Sequence, residues 1–287
     1  MKMTIKASDV KNLREKTGLG MMECKRALEE SEGDIDLAIT NLRKNSALKA
    51  EKKSSRTAVE GVILTKSDQS SNNSIILEIN CETDFVAKDE NFKSFTNDVL
   101  ETCFDAPEKS LEDLSEDSLE EKRQSLVQKI GENIVIRRKS SISSGYVSSY
   151  VHANNKIGVI VSLENENEVL GKDIAMHIAA SSPLVVNPED VDDELLSKER
   201  EIITAQVSGS DKPEEIIEKM ISGRLDKFLS EVSLINQPFV KDPSKKIKSL
   251  IEEFNNKVLS FTRFEVGEGI EVEKKDFAEE VQAQLNN

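Results

Sequence analysis

The hydrophobic pattern of this chain runs through one order of elements twice. An apolar run at Gly61-Val62-Ile63-Leu64 is followed, after a polar turn, by Ser74-Ile75-Ile76-Leu77-Glu78-Ile79. A helical stretch carrying Phe92, Phe95, Val99 and Leu100 comes next, then one with Leu126, Val127 and Ile130, then Ile134-Val135-Ile136-Arg137-Arg138. The second copy starts at Gly145-Tyr146-Val147 and continues with Ile157-Gly158-Val159-Ile160-Val161-Ser162-Leu163. Its helices are Asp173 to Ala180 and a stretch with Ile247, Leu250, Ile251 and Phe254; its last strand runs from Val258 to Phe264. Short apolar runs bounded by turn residues read as strands, and three-to-four-residue stripes as helices. A strand–strand–helix–helix–strand unit buries its apolar surface by laying helices on one face of a small antiparallel sheet. The pattern therefore predicts an α+β core of two related subdomains, residues 57–142 and residues 143–188 with 237–269.

The second copy is interrupted by an insert at residues 189–236, bracketed by Pro183, Pro188 and Pro238. Leu195, Leu196, Ile202, Ile203 and Val207 mark one helix inside it. Ile216, Ile217, Met220, Ile221, Leu225, Phe228, Leu229 and Val232 mark the other. Between them, Asp211 fits a helix cap and Pro213 a first helical turn, so the insert reads as an antiparallel helical hairpin. Its apolar stripe must be covered by the chain itself or by another molecule.

Upstream, residues 7–45 predict three short helices: one stopping at Gly18, one from Met21 with Cys24, Ala27 and Leu28 inward and ended by Gly33, and one capped by Asp34 with Ile35, Ala38, Ile39 and Leu42 inward. Adjacent Met21 and Met22 cannot share a stripe, so Met21 is assigned to the core and Met22 to the surface. The basic stretch Lys49 to Arg56 lacks an apolar period and reads as a linker, which closes a first region at residue 56. At the other end, residues 270–287 carry Phe277, Val281 and Leu285 at helical spacing, a short C-terminal module.

Charge narrows the function. Residues 1–56 hold 13 Lys and Arg against 9 Asp and Glu, net +4, which leaves −19 for the rest of a chain whose total is −15. Such an acidic body repels phosphates and argues against nucleic acid as the main ligand. No run of ~18 apolar residues and no signal-peptide stretch are present, and the three cysteines form no CxxC, so a reducing, cytoplasmic setting is expected. A P-loop, an HExxH, a zinc-type Cys/His set and a GxSxG are all missing. No cofactor is implied, and a binding protein fits better than an enzyme.

Six segments, in order along nearly the whole chain, resemble bacterial elongation factor Ts. They are Leu13-Arg14-Glu15-Lys16-Thr17-Gly18 with Gly20-Met21-Met22-Glu23-Cys24-Lys25-Arg26-Ala27-Leu28; Glu82-Thr83-Asp84-Phe85-Val86-Ala87-Lys88-Asp89; Ile130-Gly131-Glu132-Asn133; Met176-His177-Ile178-Ala179-Ala180-Ser181; Glu231-Val232-Ser233-Leu234 with Gln237-Pro238-Phe239-Val240; and Arg263-Phe264-Glu265-Val266-Gly267-Glu268-Gly269. The resemblance implies a ubiquitin-associated-like N-terminal domain, a two-part core, an inserted coiled-coil hairpin and a C-terminal module. It implies guanine nucleotide exchange on elongation factor Tu, in its GDP-bound and nucleotide-free states, without covalent chemistry.

It also implies contact residues. Asp84 and Phe85, flanked by Thr83 and Val86, wedge between two helices of the partner's nucleotide domain and disturb its magnesium site. Ile130 and Gly131 belong to a second matching segment. Arg14, Met21, Met22 and Lys25 touch the same partner domain, and His152 and Val240 match contact positions, although Lys241 departs from the apolar residue expected beside Val240. The residues alone leave other readings open. Phe85 fits a core, Asp84 an N-cap, Arg14 and Lys25 a solvated face, and His177 a hydrogen-bonded core histidine. A scaffold binding through the three-helix domain and an acidic enzyme with an unrecognised site are the competing functions. A homodimer through the hairpin is a further partner to test.

Overall fold

A computed structural model describes residues 5–68, 70, 72–114, 119–207 and 213–271. It is a mixed α/β protein of small antiparallel sheets and many helices. Helices α1 (Ala7–Thr17), α2 (Met21–Glu30) and α3 (Ile35–Lys53) come first. Strands β1 (Glu60–Asp68), β2 (Asn73–Cys81) and β3 (Ile134–Ile142) form one sheet in the order β1-β2-β3, with α4 (Asp84–Ala87), α5 (Glu90–Asp105), α6 (Leu111–Leu114) and α7 (Glu120–Ile130) between β2 and β3. Strands β4 (Tyr146–Val151), β5 (Ile157–Leu163) and β8 (Val258–Glu265) form a second sheet, again with the last strand beside the middle one. Between β5 and β8 lie α8 (Glu168–Ser181), α9 (Asp193–Val207), α10 (Glu214–Val232), the short pair β6 (Pro238–Phe239) and β7 (Asp242–Lys246), and α11 (Ile247–Glu253).

The chain divides into two compact units. One takes the chain up to Val62, Glu78–Arg138 and the chain from Val266; the other takes Ile63–Leu77 and Lys139–Glu265.

In the first unit, α1 to α3 close around Val10, Leu13, Leu19, Cys24, Ala27, Leu28, Ala38 and Leu42. Helix α1 ends at left-handed Gly18, and Asp34 caps α3 through the amides of Asp36 and Leu37. The third helix is longer than its apolar stripe suggests: the basic stretch from Lys49 is helical to Lys53, not a linker. Ala, Glu and Lys favour helix, and Ser46 and Ala50 continue the Ala38–Leu42 face at four-residue steps, buried where α3 packs along α7. Met21 is likewise not core. At the first position of α2 it has no preceding turn to pack against, and it is 59% exposed beside Met22 at 70%.

In the second unit, β4 and β5 pair antiparallel from Tyr146↔Leu163 to Val151↔Gly158, and β8 adds to the other edge of β5. Helix α8 lies across β4 and β5. Gly171 permits this approach, since a Cβ there would collide with Ser148 Oγ on β4. Val159, Val161, Leu163, Leu170, Ile174, Ile178, Leu234, Phe239, Ile247, Leu250 and Ile251 form the core. Phe254, expected on the inner face of α11, caps the helix end and is exposed.

Helices α9 and α10 pack through Ile203, Val207 and Ile221, flanked by Ile217, Met220 and Leu225. Leu195, Ile202 and Ile216 are exposed, so two helices alone cover only part of their apolar residues. Pro213 sits at the cap position before α10, one step outside the first turn. Asp211, and the C-terminal residues Phe277, Val281 and Leu285, lie outside the described residues.

Candidate partner interface

The junction from β2 into α4 is built by hydrogen bonds. Thr83, not Asp84, is the N-cap: its Oγ1 accepts from the Val86 amide at 3.4 Å, and Asp84 opens the helix. A hydroxyl at the cap leaves Asp84 free to turn outward, where it pairs with Lys88 at 2.7 Å. Val86 and Ala87 face inward. Phe85 points the other way and is 79% exposed, the most exposed large apolar side chain among the described residues. A Phe in a core would lose that surface, so the core reading of Phe85 does not hold here.

A second junction grips the first. Helix α7 stops at Gly131, whose φ of +90° is the left-handed C-cap conformation that glycine adopts at little cost. The chain then turns into β3 through Glu132 and Asn133. Glu132 Oε2 accepts from the amides of Glu82 at 3.1 Å and Thr83 at 3.0 Å, and its Oε1 accepts from the Thr83 hydroxyl at 2.7 Å. Glu82 reciprocates by accepting from the Asn133 amide at 2.6 Å. Ile130 is half-buried, and the Gly131 carbonyl accepts from Lys53 Nζ at the end of α3. Thr83 to Val86, Ile130 and Gly131 are therefore one assembly. Glu132, Glu82 and Lys53 belong to it and were not assigned from sequence. The signal was a charged residue directly after a helix-ending glycine, inside a segment already singled out.

Arg14, Met21, Met22 and Lys25 are all exposed on α1 and α2. Lys25 stands 3.8 Å from Glu29, a solvated pair of little energetic weight. Glu23, two residues earlier, has a different task. It accepts from Lys49 at 2.5 Å and Gln128 at 2.7 Å, while the Ser46 hydroxyl donates to Gln128. Burial pushes the Glu23 carboxyl upward, but these hydrogen bonds win and hold it below the usual carboxylate value.

His152 and Val240 belong to the second unit. His152 follows β4, is exposed, and stands 3.1 Å from the Tyr150 hydroxyl through Nδ1. Val240 is 45% exposed, and its amide donates to His177 Nδ1 at 3.2 Å. That bond fixes the tautomer: Nε2 carries the proton and donates to Gln237 Oε1 at 2.9 Å, and Gln237 donates onward to the Glu231 carbonyl at 2.6 Å. Burial lowers the His177 pKa and keeps the ring neutral. His177 is a core histidine that holds the loop displaying Val240. Lys241 pairs with Asp173 at 2.7 Å, which places a charge where an apolar side chain was expected.

No group of three or more His, Cys, Asp or Glu suited to a metal ion occurs among the described residues. The features that stand out are apolar side chains held out to solvent on hydrogen-bonded frames, an arrangement suited to docking a protein.

Known proteins carry similar sequences. A family model described as Elongation factor TS matches residues 82–268. Elongation factor Ts of Hahella chejuensis is 54% identical over 281 residues, 98% of each chain. That of Teredinibacter turnerae is 54% identical over 286 residues, 99% of this chain and 98% of its own. That of Legionella pneumophila subsp. pneumophila is 50% identical over 289 residues, 98% of this chain and 99% of its own.

Proposed function

The chain belongs to the elongation factor Ts family of translation elongation factors, and on that premise we propose that it is a guanine nucleotide exchange factor for elongation factor Tu, acting in the cytoplasm. It binds the GDP-bound and nucleotide-free partner and makes or breaks no covalent bond itself. Among the described residues no helix is long and apolar enough to cross a membrane.

The observation that carries this reading is Phe85, 79% exposed on a junction pinned by Glu132. An apolar ring held in water has most of its burial free energy still to gain, about 1.5–3 kcal/mol for a Phe. Spent between two helices of the partner's nucleotide domain, that energy favours the partner state that holds magnesium and GDP poorly. Coupling is reciprocal, so GDP weakens this chain's binding by the factor by which this chain weakens GDP. A ~10⁴-fold shift requires about 5.5 kcal/mol of differential binding, so Phe85 supplies a share and other contacts the rest. We assign those to Asp84, Thr83, Val86, Ile130 and Gly131 at the same junctions, to Arg14, Met21, Met22 and Lys25 on α1 and α2, and to His152 and Val240 in the second unit. The exposed Leu195, Ile202 and Ile216 on α9 and α10 support a second contact there, to the partner or to another copy of this chain.

The test is stopped-flow release of fluorescent GDP from elongation factor Tu. This chain should accelerate release strongly, and Phe85→Ala should lose at least about tenfold of that acceleration, since ~1.4 kcal/mol is a factor of ten. Acceleration unchanged by the substitution would move the wedge elsewhere; no acceleration by either protein would refute exchange and leave a scaffold.

A further inference from the structure

We infer that Glu132 is a positioning residue for Phe85: its carboxylate locks the β2–α4 junction so that the exposed ring is presented in one direction. This rests on the exchange reading and adds to it a residue that need not touch the partner.

Three observations carry the inference. First, Phe85 is 79% exposed, so its direction is set by the backbone beneath it more than by packing around it. Second, that backbone is held from one place. Glu132 takes three donors from two successive residues: the Glu82 amide, the Thr83 amide and the Thr83 hydroxyl, at 3.1, 3.0 and 2.7 Å. The same hydroxyl oxygen caps α4 through the Val86 amide, so the carboxylate, the cap and the first turn form one chain of bonds around Phe85. Third, the carboxylate is itself fixed. It follows the glycine that ends α7, and the Glu82 side chain returns to the Asn133 amide at 2.6 Å. Two loops that would otherwise move separately are thus bonded in both directions. A wedge on such a frame reaches its bound geometry without first losing conformational freedom, which is where preorganisation raises affinity and rate. Hydrogen bonds to an ionised acceptor are the stronger kind, so a carboxylate suits this position better than an amide.

A double-mutant cycle separates positioning from simple stability. GDP release from elongation factor Tu is followed with the wild type, Glu132→Ala, Phe85→Ala and the double variant, all at saturating chain. Amide exchange at Thr83 and Val86 is measured in the absence of partner. Glu132→Ala should lower the acceleration about tenfold, the worth of one charge-assisted hydrogen bond, in the wild-type background. In the Phe85→Ala background it should cost less than about twofold, because the residue it positions is gone. Glu132→Gln, which keeps one acceptor, should recover part of the loss, and both variants should speed exchange at Thr83 and Val86 while sparing α5. An equal cost in the two backgrounds, or unchanged protection at Thr83 and Val86, overturns the positioning role. Failure of the wild type to accelerate release overturns the exchange reading instead, and the amide protection then still decides whether the clamp exists.

Discussion

Glu78 is wholly buried on β2 and its carboxylate accepts from Arg138 Nε on β3 at 2.6 Å. Arg137 donates to the other oxygen at 2.9 Å, and the Gly267 amide adds a third bond, also at 2.9 Å. Burial alone would raise the carboxyl pKa, but these donors outweigh it and hold it below 4.5. A group whose folded pKa is depressed contributes stability above its unfolded pKa, and that contribution is lost as pH falls through the folded value. Glu78→Gln should therefore destabilise the chain by about 2–3 kcal/mol at pH 7, because two guanidinium groups lose the buried carboxylate they share and, among the described residues, only Arg138 keeps another, Glu268. The gap from wild type should begin to narrow as pH falls below about 4.5 and go on narrowing as the folded carboxyl is protonated. Urea midpoints from pH 7 to 3 measure both.

His177 gives a pH dependence in a different window. Its folded pKa is lowered from 6.5 by burial, so the unfolded chain takes up a proton first as pH falls. Stability should decline below about pH 6.5, by at most ~1.4 kcal/mol per pH unit for one proton. His177→Gln should flatten that slope while lowering stability at pH 7 by about 1–3 kcal/mol, since the Val240 amide loses its acceptor. Thermal melts at pH 5 to 8 show whether both effects occur.

Gln128 joins three helices, accepting from Ser46 of α3 and donating to Glu23 of α2. Replacing it with Leu removes both bonds, leaving Glu23 with Lys49 and Ser46 with the Leu42 carbonyl, and should cost about 1–3 kcal/mol. Amide protection should fall along Ser46 to Lys53 and stay unchanged in α8. Equal loss in both helices would mean that the packing of α3 on α7 does not rest on this bond.

Met21 and Met22 are exposed, so replacing both with Ala should shift stability by less than about 0.5 kcal/mol. The same change should weaken the complex with nucleotide-free elongation factor Tu severalfold, read by titration calorimetry. Unchanged affinity would place the contact elsewhere on α1 and α2.

The limits of the helical pair can be tested by deletion. Its two helices pack on each other through Ile203, Val207 and Ile221, but its base is stitched to the core: the Leu184 amide bonds to the Val232 carbonyl, Leu234 to Val185, and Gln237 to Glu231. Removing residues 194–229 behind a short Gly-Ser link should keep a cooperative melt within a few degrees of wild type. Removing 191–235 also takes Leu234, which is fully buried, and should lower the midpoint markedly.

Much of this protein was written in local pattern. The continuous apolar run of β5, the Phe92, Phe95, Val99 and Leu100 stripe of α5, the glycine that ends α1 and the Asp34 cap each depend on residues within a turn or two, and each stands where the sequence placed it. The exposed tip at Phe85 was legible through resemblance, not hydropathy, because hydropathy sends a Phe inward. Tertiary structure decided the rest. The last turns of α3 read as a polar linker because a serine and an alanine among charged residues mark no inner face until α7 lies against them. Met21 left the core because a stripe says nothing about where a bundle ends. Glu132 became the clamp through bonds between residues about fifty positions apart. Periodicity encodes the faces of single elements; which carboxylate meets which amide is settled only when two separate loops are brought together.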